Sequence, residues 1–142
     1  MRQVLWLVAL GLLAASCSRQ PDSTGALAEL AIYEAVFRHK LQGLPAEARL
    51  YLSVANQDAP PELLRRLRET WPNLEPASRQ PKGTGTTFYA HALTWLDRDT
   101  VEVQVGSTRQ TKHHPEQEFA DFRVVRQGGQ WVVEGKTNET TS

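Results

Sequence analysis

Apolar residues recur at spacings of three and four over residues 26–42, a pattern that predicts an amphipathic helix. The apolar stripe of this helix consists of Leu30, Tyr33, Phe37 and Leu41. Ile32 and Val36 widen that stripe, which indicates a helix packed over a sheet, with Tyr33 and Phe37 in the core. Gly43 and Pro45 then end the helix, because neither residue continues one well.

Residues 49–55 alternate between apolar and other side chains, which predicts a strand with Tyr51 on the face opposite its leucines. A second helix is predicted after Asp58, whose carboxylate is suited to accept hydrogen bonds from the first free amides. Prolines fit its first turn, and Pro72 ends it. Its buried face is expected to consist of Leu63, Leu64, Leu67 and Trp71.

From Thr87 onward the period changes to two, which is the period of strands. Four strands are predicted, at residues 87–95, 101–105, 119–126 and 130–136, and Gly128-Gly129 suits a tight hairpin between the last two. Residues 72–86 contain three prolines and two glycines and are predicted as a loop. The expected fold is therefore α+β: helix, strand, helix, then a four-stranded antiparallel meander that forms a curved sheet packed on the first helix.

The first 17 residues have the layout of an export signal: a positive start, an uncharged apolar stretch, and small residues before Cys17. The 12 apolar positions from 4 to 15 would span only about 18 Å as a helix, against a hydrocarbon core of about 30 Å. The segment Leu13-Ala14-Ala15-Ser16-Cys17 resembles the lipobox of bacterial lipoproteins. The alternative is an ordinary cleaved signal with a coincidental cysteine.

The lipobox resemblance implies that Cys17 receives a diacylglyceryl group and becomes the mature N-terminus, so that palmitate or related acyl chains anchor the protein to a membrane. Together with the composition and the predicted elements, it divides the chain into a signal peptide (1–16), a flexible tether (17–25), one α+β domain (26–137) and a disordered tail (138–142). By the same resemblance, Ser18, a residue other than Asp directly after the cysteine, favours sorting to the outer membrane of the bacterial cell envelope. The expected orientation is towards the periplasm, but Ser18 does not indicate the leaflet.

The charge balance and the cysteine count exclude several classes of function. The 142 residues carry 16 basic and 16 acidic side chains, which argues against a nucleic-acid partner, because such binders normally have a clear basic excess. A single cysteine excludes an internal disulfide and a multi-cysteine metal site.

The order of the predicted elements resembles small secreted bacterial domains of unknown function. The segments that carry this likeness are Tyr33-Glu34-Ala35-Val36-Phe37, Tyr51-Leu52-Ser53-Val54, Pro61-Glu62-Leu63-Leu64, Pro76-Ala77-Ser78 and Gly129-Gln130-Trp131-Val132-Val133. More distantly the architecture resembles cystatin-like and NTF2-like domains, whose cone-shaped sheets wrap around a helix. Neither likeness supplies catalytic residues. Residues 106–118 are polar and contain histidines where the uncharacterised group tends towards glycine.

His113 and His114, with Glu116 and Glu118, form the densest group of potential metal ligands. Adjacent histidines diverge along a strand, so these four residues are interpreted as a solvated hairpin loop, and no metal or cofactor is expected. Sequence alone leaves open whether the two histidines bind metal.

Tyr89, His91 and Trp95 fall on one face of the first predicted meander strand and form the candidate ligand or partner face. A hydrogen-bonded core histidine is the alternative interpretation of His91. No catalytic residue is assigned: the chain has no Gly-x-Ser-x-Gly elbow, and Ser78 lies in a predicted loop with no base identifiable in sequence.

Two functional hypotheses follow from these observations. The preferred one is a lipid-anchored envelope protein that acts as a non-enzymatic binding module for an envelope protein or a small apolar ligand. The alternative is a small hydrolase or isomerase with a site in a sheet-and-helix cone, using His91 with Glu34 or Asp121.

Overall fold

The computed structural model describes residues 25–141, and this part of the chain forms two helices and an eight-stranded, mostly antiparallel sheet. The elements are α1 (Ala26–Leu41), β1 (Leu50–Val54), β2 (Gln57–Asp58), α2 (Pro61–Leu67), β3 (Leu74–Pro76), β4 (Thr86–Ala90), β5 (Thr94–Asp97), β6 (Thr100–Arg109), β7 (Glu116–Gln127) and β8 (Gln130–Thr141). This confirms the α+β class and the helix–strand–helix start, whereas the sheet has more than the four predicted strands plus β1. No helix in this range is long and apolar enough to cross a membrane.

The main path of the sheet runs β2-β1-β4-β6-β7-β8, with β3 beside β1 and β5 beside β6. The predicted meander corresponds to β4 and β5 together, then β6, β7 and β8, which pair antiparallel in chain order. The strand β1 lies parallel to β4, with Leu52 opposite Phe88. The prediction of a continuous loop over residues 72–86 is wrong, because β3 pairs in parallel with β1 and a short 3-10 helix follows it at Ala77–Arg79.

The space between α1 and the sheet is filled by apolar side chains. One face of the sheet carries Val101, Val103 and Val105 from β6 and Ala120, Phe122 and Val124 from β7, all buried. The helix buries Ile32, Val36 and Phe37 in the same core. Because these residues recur at period two in the strands and near 3.6 in the helix, each element presents one continuous apolar face. We call this the helix side of the sheet and the opposite side the open face.

The last three strands extend beyond their predicted bounds. The strand β6 continues to Arg109 and β7 begins at Glu116, so the predicted 106–118 loop shrinks to residues 110–115. The strand β8 continues to Thr141, which pairs with Glu118, so residues 138–141 belong to the sheet instead of a disordered tail. Backbone pairing with a neighbouring strand extends these ends although their side chains are polar. The hairpin at Gly128 and Gly129 is confirmed, with φ of +56° and +79°.

Candidate functional site

An extra residue interrupts the strand that carries the three predicted site residues. The amide of His91 donates to the carbonyl of Gln104 at 2.9 Å, yet Thr94 already pairs with Glu102. Three steps along this strand therefore match two steps along β6, and residues 91–93 leave the regular ladder. Because side chains alternate with period two, one additional residue reverses the face on which all later side chains lie.

This reversal separates Trp95 from the other two predicted residues. The rings of Tyr89 and His91 lie together on the open face, with centroids 5.3 Å apart and an interplanar angle of 59°. Trp95 is paired with the buried Val101 on the helix side and packs edge-on against Trp131, at 5.7 Å between centroids. The prediction of one shared face is wrong for Trp95, since periodicity alone gives no sign of the extra residue.

Tyr89 covers a glycine on the neighbouring strand. Gly106 lies directly opposite Tyr89 in the β4–β6 ladder, and a Cβ atom placed on it would lie 2.6 Å from Cζ of the tyrosine ring. The missing side chain thus leaves room for the Tyr89 ring beside Gly106, where burial and the nearby Glu118 raise the pKa of the phenol. The sequence analysis placed Gly106 at the start of the polar 106–118 segment and so missed this contact, because only the longer β6 puts the glycine inside a strand.

A row of polar side chains continues from His91 across the open face. Gln104 lies opposite His91 on β6, and Asp121 lies opposite Gln104 on β7. The Gln104 amide donates to Asp121 Oδ1 at 3.4 Å, and Asn138 of β8 faces Asp121. Next to this row, Arg123 donates to Glu102 at 2.8 Å. The open face therefore presents the Tyr89–His91 aromatic pair beside side chains that include both hydrogen-bond donors and hydrogen-bond acceptors.

Of the two acids considered for an enzyme, neither makes a direct pair with His91. Glu34 lies on α1, where it accepts from Arg38 at 3.1 Å and from Arg66 at 3.0 Å, and so ties α1 to α2. Asp121 shares the open face with His91, but Gln104 stands between them. Among the described residues, neither Glu34 nor Asp121 therefore forms a carboxylate–imidazole pair with His91.

His113 and His114 lie exposed in the 110–115 loop. The loop is held by Thr111, whose hydroxyl accepts from the amide of His114 at 3.2 Å and donates to its carbonyl. Across residues 25–141, no three His, Cys, Asp or Glu side chains lie close enough together to hold a metal ion.

Two open cavities flank the strand β2. The larger, about 790 Å³, lies between α2 and the 3-10 helix and is lined in part by Pro60, Leu64 and Arg68. At its edge Asp58 accepts from the amide of Ser78 at 2.8 Å and from its hydroxyl at 2.6 Å, and these bonds lower the pKa of Asp58. The prediction that Asp58 caps α2 is therefore wrong: Pro60 occupies that position. The smaller cavity lies at the start of α1.

Cys17, the signal peptide, and the tether up to residue 24 lie outside the described residues, as does Ser142. Comparison of the chain with protein-family models, with curated proteins and with solved structures found no match. The lipobox, cystatin-like and NTF2-like resemblances therefore stay predictions.

Proposed function

We propose that this protein is a lipid-anchored bacterial envelope protein that acts as a non-enzymatic binding module. Its ligand is a partner protein of the envelope or a small apolar molecule, and its location is the periplasmic side of the outer membrane. The anchoring part of the proposal rests on the sequence, in which the lone cysteine ends an export signal at the lipobox position.

One observation carries the binding part: aromatic and polar side chains meet on the open face, while the interior is filled. The rings of Tyr89 and His91 pack against each other there at a tilted angle, beside Gln104 and Asp121. Aromatic side chains next to hydrogen-bonding groups are the usual composition of binding surfaces.

The filled interior weighs against an enzyme with a site inside a cone. Phe37 and Phe122 are wholly buried between α1 and the sheet, in the region where an enclosed active site would need space. His91, the one histidine considered for catalysis, has its ring on the other side of the sheet, next to Tyr89.

Metabolic labelling with palmitate tests the anchor. We expect the wild-type protein to incorporate label and the Cys17→Ala variant to lose it, because the thiol is the acceptor. Equal labelling of both proteins, or of neither, would contradict lipidation.

Cross-linking in intact cells, followed by isolation of the full-length protein, tests the binding face. We expect an envelope partner or a co-purifying apolar ligand that is lost when Tyr89 and His91 are both changed to alanine. The matched control changes His113 and His114 to alanine, which alters two exposed side chains in a distant loop. A partner retained by the first variant, or lost from both, would refute the assignment of this face.

A further inference from the structure

The smaller cavity has the size and the lining of a site for an aliphatic chain. This open cavity has a volume of about 470 Å³, within the range of about 300–1,000 Å³ that is typical of ligand pockets. Its apolar lining comes from Ala26, Leu27, Leu30, Val54 and Pro60. The side chain of Leu27 is 79% exposed, so this part of the lining is open to solvent.

The position of this cavity in the chain points to its occupant. Its first lining residue, Ala26, follows Cys17 by only nine positions. Nine fully extended residues span about 30 Å, so a group attached to Cys17 is always held within that distance of the cavity. A short connection between two binding groups gives an effective concentration of about millimolar, which favours occupation even when the intrinsic affinity is weak.

The charges around the cavity argue against an alternative occupant, the flat surface of a bilayer. Three carboxylates, those of Glu29, Asp58 and Glu62, also line the cavity, and the Ser78 hydrogen bonds lower the pKa of Asp58. Anionic lipid headgroups attract basic segments and repel carboxylates. A single acyl chain carries no charge and is not subject to this repulsion.

We propose that this cavity holds one acyl chain carried by Cys17. The inference rests on the proposed lipidation and adds an internal ligand to it, at a site separate from the open face. A diacylglyceryl group has more than one chain, so one chain is available for the cavity while another stays in the bilayer. Each methylene group that enters the cavity leaves contact with water, which is the driving force for occupation whenever that chain is outside the bilayer.

Photo-cross-linking of the full-length protein tests this assignment. Cells are fed a fatty acid with a diazirine near its end, irradiated, and the protein is isolated and digested with trypsin. Cleavage after Arg19, Arg38, Arg49 and Arg65 separates the acylated peptide 17–19 from peptides 20–38 and 50–65, which contain the cavity lining. We expect the acylated peptide to be joined to peptide 50–65, a link that sequence proximity cannot explain.

Two exposed leucines provide the variant and its control. Leu27→Asp places a charge at the cavity rim and should reduce the 17–19 to 50–65 link about fivefold, equivalent to about 1 kcal/mol. Leu96→Asp makes the same change at another exposed leucine, 49% accessible, and should leave the link unchanged. Because both side chains are already in solvent, both variants are expected to fold, which circular dichroism will verify.

Three outcomes would overturn the proposal. Links from peptide 17–19 to phospholipid alone, or an equal yield of the 17–19 to 50–65 link in Leu27→Asp and wild type, would show that the cavity does not hold the acyl chain of Cys17. Peptides 20–38 and 50–65 joined to whole phospholipid molecules would assign the cavity to bilayer lipid instead. A peptide 17–19 without any acyl group would refute the proposed function itself, and mass spectrometry distinguishes that failure from the other two.

Discussion

Replacing Gly106 by alanine is expected to destabilise the protein by about 2 kcal/mol, because the new methyl group has no space. A Cβ atom at this position would lie 2.6 Å from Tyr89 Cζ and still closer to the Tyr89 hydroxyl and the backbone carbonyl oxygen of Glu118. Ordinary contacts of a Cβ atom lie at 3.4–4 Å. Overpacking of this kind typically costs about 1–3 kcal/mol.

The two neighbours of the new methyl group differ in how well they can move. The Tyr89 ring can rotate away from Gly106, at the cost of its contact with His91. The Glu118 carbonyl is fixed in the β6–β7 ladder, where Glu118 pairs with Ser107. In a Tyr89→Ala background, the part of the Gly106→Ala destabilisation that comes from the tyrosine ring should disappear, and the part that comes from the Glu118 carbonyl should remain. A double-mutant cycle should therefore give a coupling energy of about 1 kcal/mol between positions 89 and 106.

Urea unfolding gives the free energy of unfolding from the midpoint and the slope of the transition. It is measured for the wild type, for the Gly106→Ala and Tyr89→Ala variants, and for the double variant. Gly135→Ala is the matched control: Gly135 lies in β8, and no atom lies within 4 Å of the position that the new methyl group would take. That change should be neutral or stabilise by up to about 1 kcal/mol. A Gly106→Ala protein within about 0.5 kcal/mol of wild type, or a cycle without coupling, would refute the packing of Tyr89 on this glycine.

Three further predictions concern the core, an ion pair and a turn. Phe122→Ala should lower the free energy of unfolding by about 3–5 kcal/mol, because this side chain is only 2% exposed and its removal leaves a cavity; an unchanged urea midpoint would contradict the core described above. The Lys40 ammonium, 2.6 Å from the Glu118 carboxylate, holds the pKa of Glu118 below its usual value. At pH values above the pKa that Glu118 has in the unfolded chain, this carboxylate therefore stabilises the fold, and the stabilisation is lost as the pH falls through the lower pKa of the folded state. Lys40→Met should raise the Glu118 pKa in an NMR titration. Gly129→Ala should cost about 1–2 kcal/mol in thermal unfolding, since φ there is +79°, and a stability equal to wild type would count against the hairpin geometry.

Elements whose patterns are local agree closely with the structure. The helix predicted at residues 26–42 is α1, and the strand predicted at 49–55 is β1, because each pattern reflects one face packed on the core. The Gly128-Gly129 hairpin is confirmed because glycine adopts positive φ without steric cost.

The sequence did not predict elements that form only by contact with a segment distant along the chain. Leu74–Pro76 contains too few residues to show a period, and it is a strand only because β1 offers a free edge beside it. Tyr51 was expected opposite the core leucines and does lie there, yet it is also buried, because the segment around Gly85 folds over its ring. Proline-rich segments such as 72–86 carry no local signal for such contacts.

The candidate site shows the same division. The amino-acid sequence predicted that Tyr89 and His91 share a face, because residues two positions apart along a regular strand do, and His91 directly after β4 still pairs with Gln104. It also determined the candidate anchor at Cys17, which depends only on the order of residues. Whether Trp95 lies on the same face as Tyr89 and His91 depended on how residues 91–93 pair with β6, because the register of a strand is set by its neighbour. Tertiary packing alone therefore decided that Trp95 meets Trp131 on the helix side, that Gly106 supports Tyr89, and that a cavity lies at the start of α1.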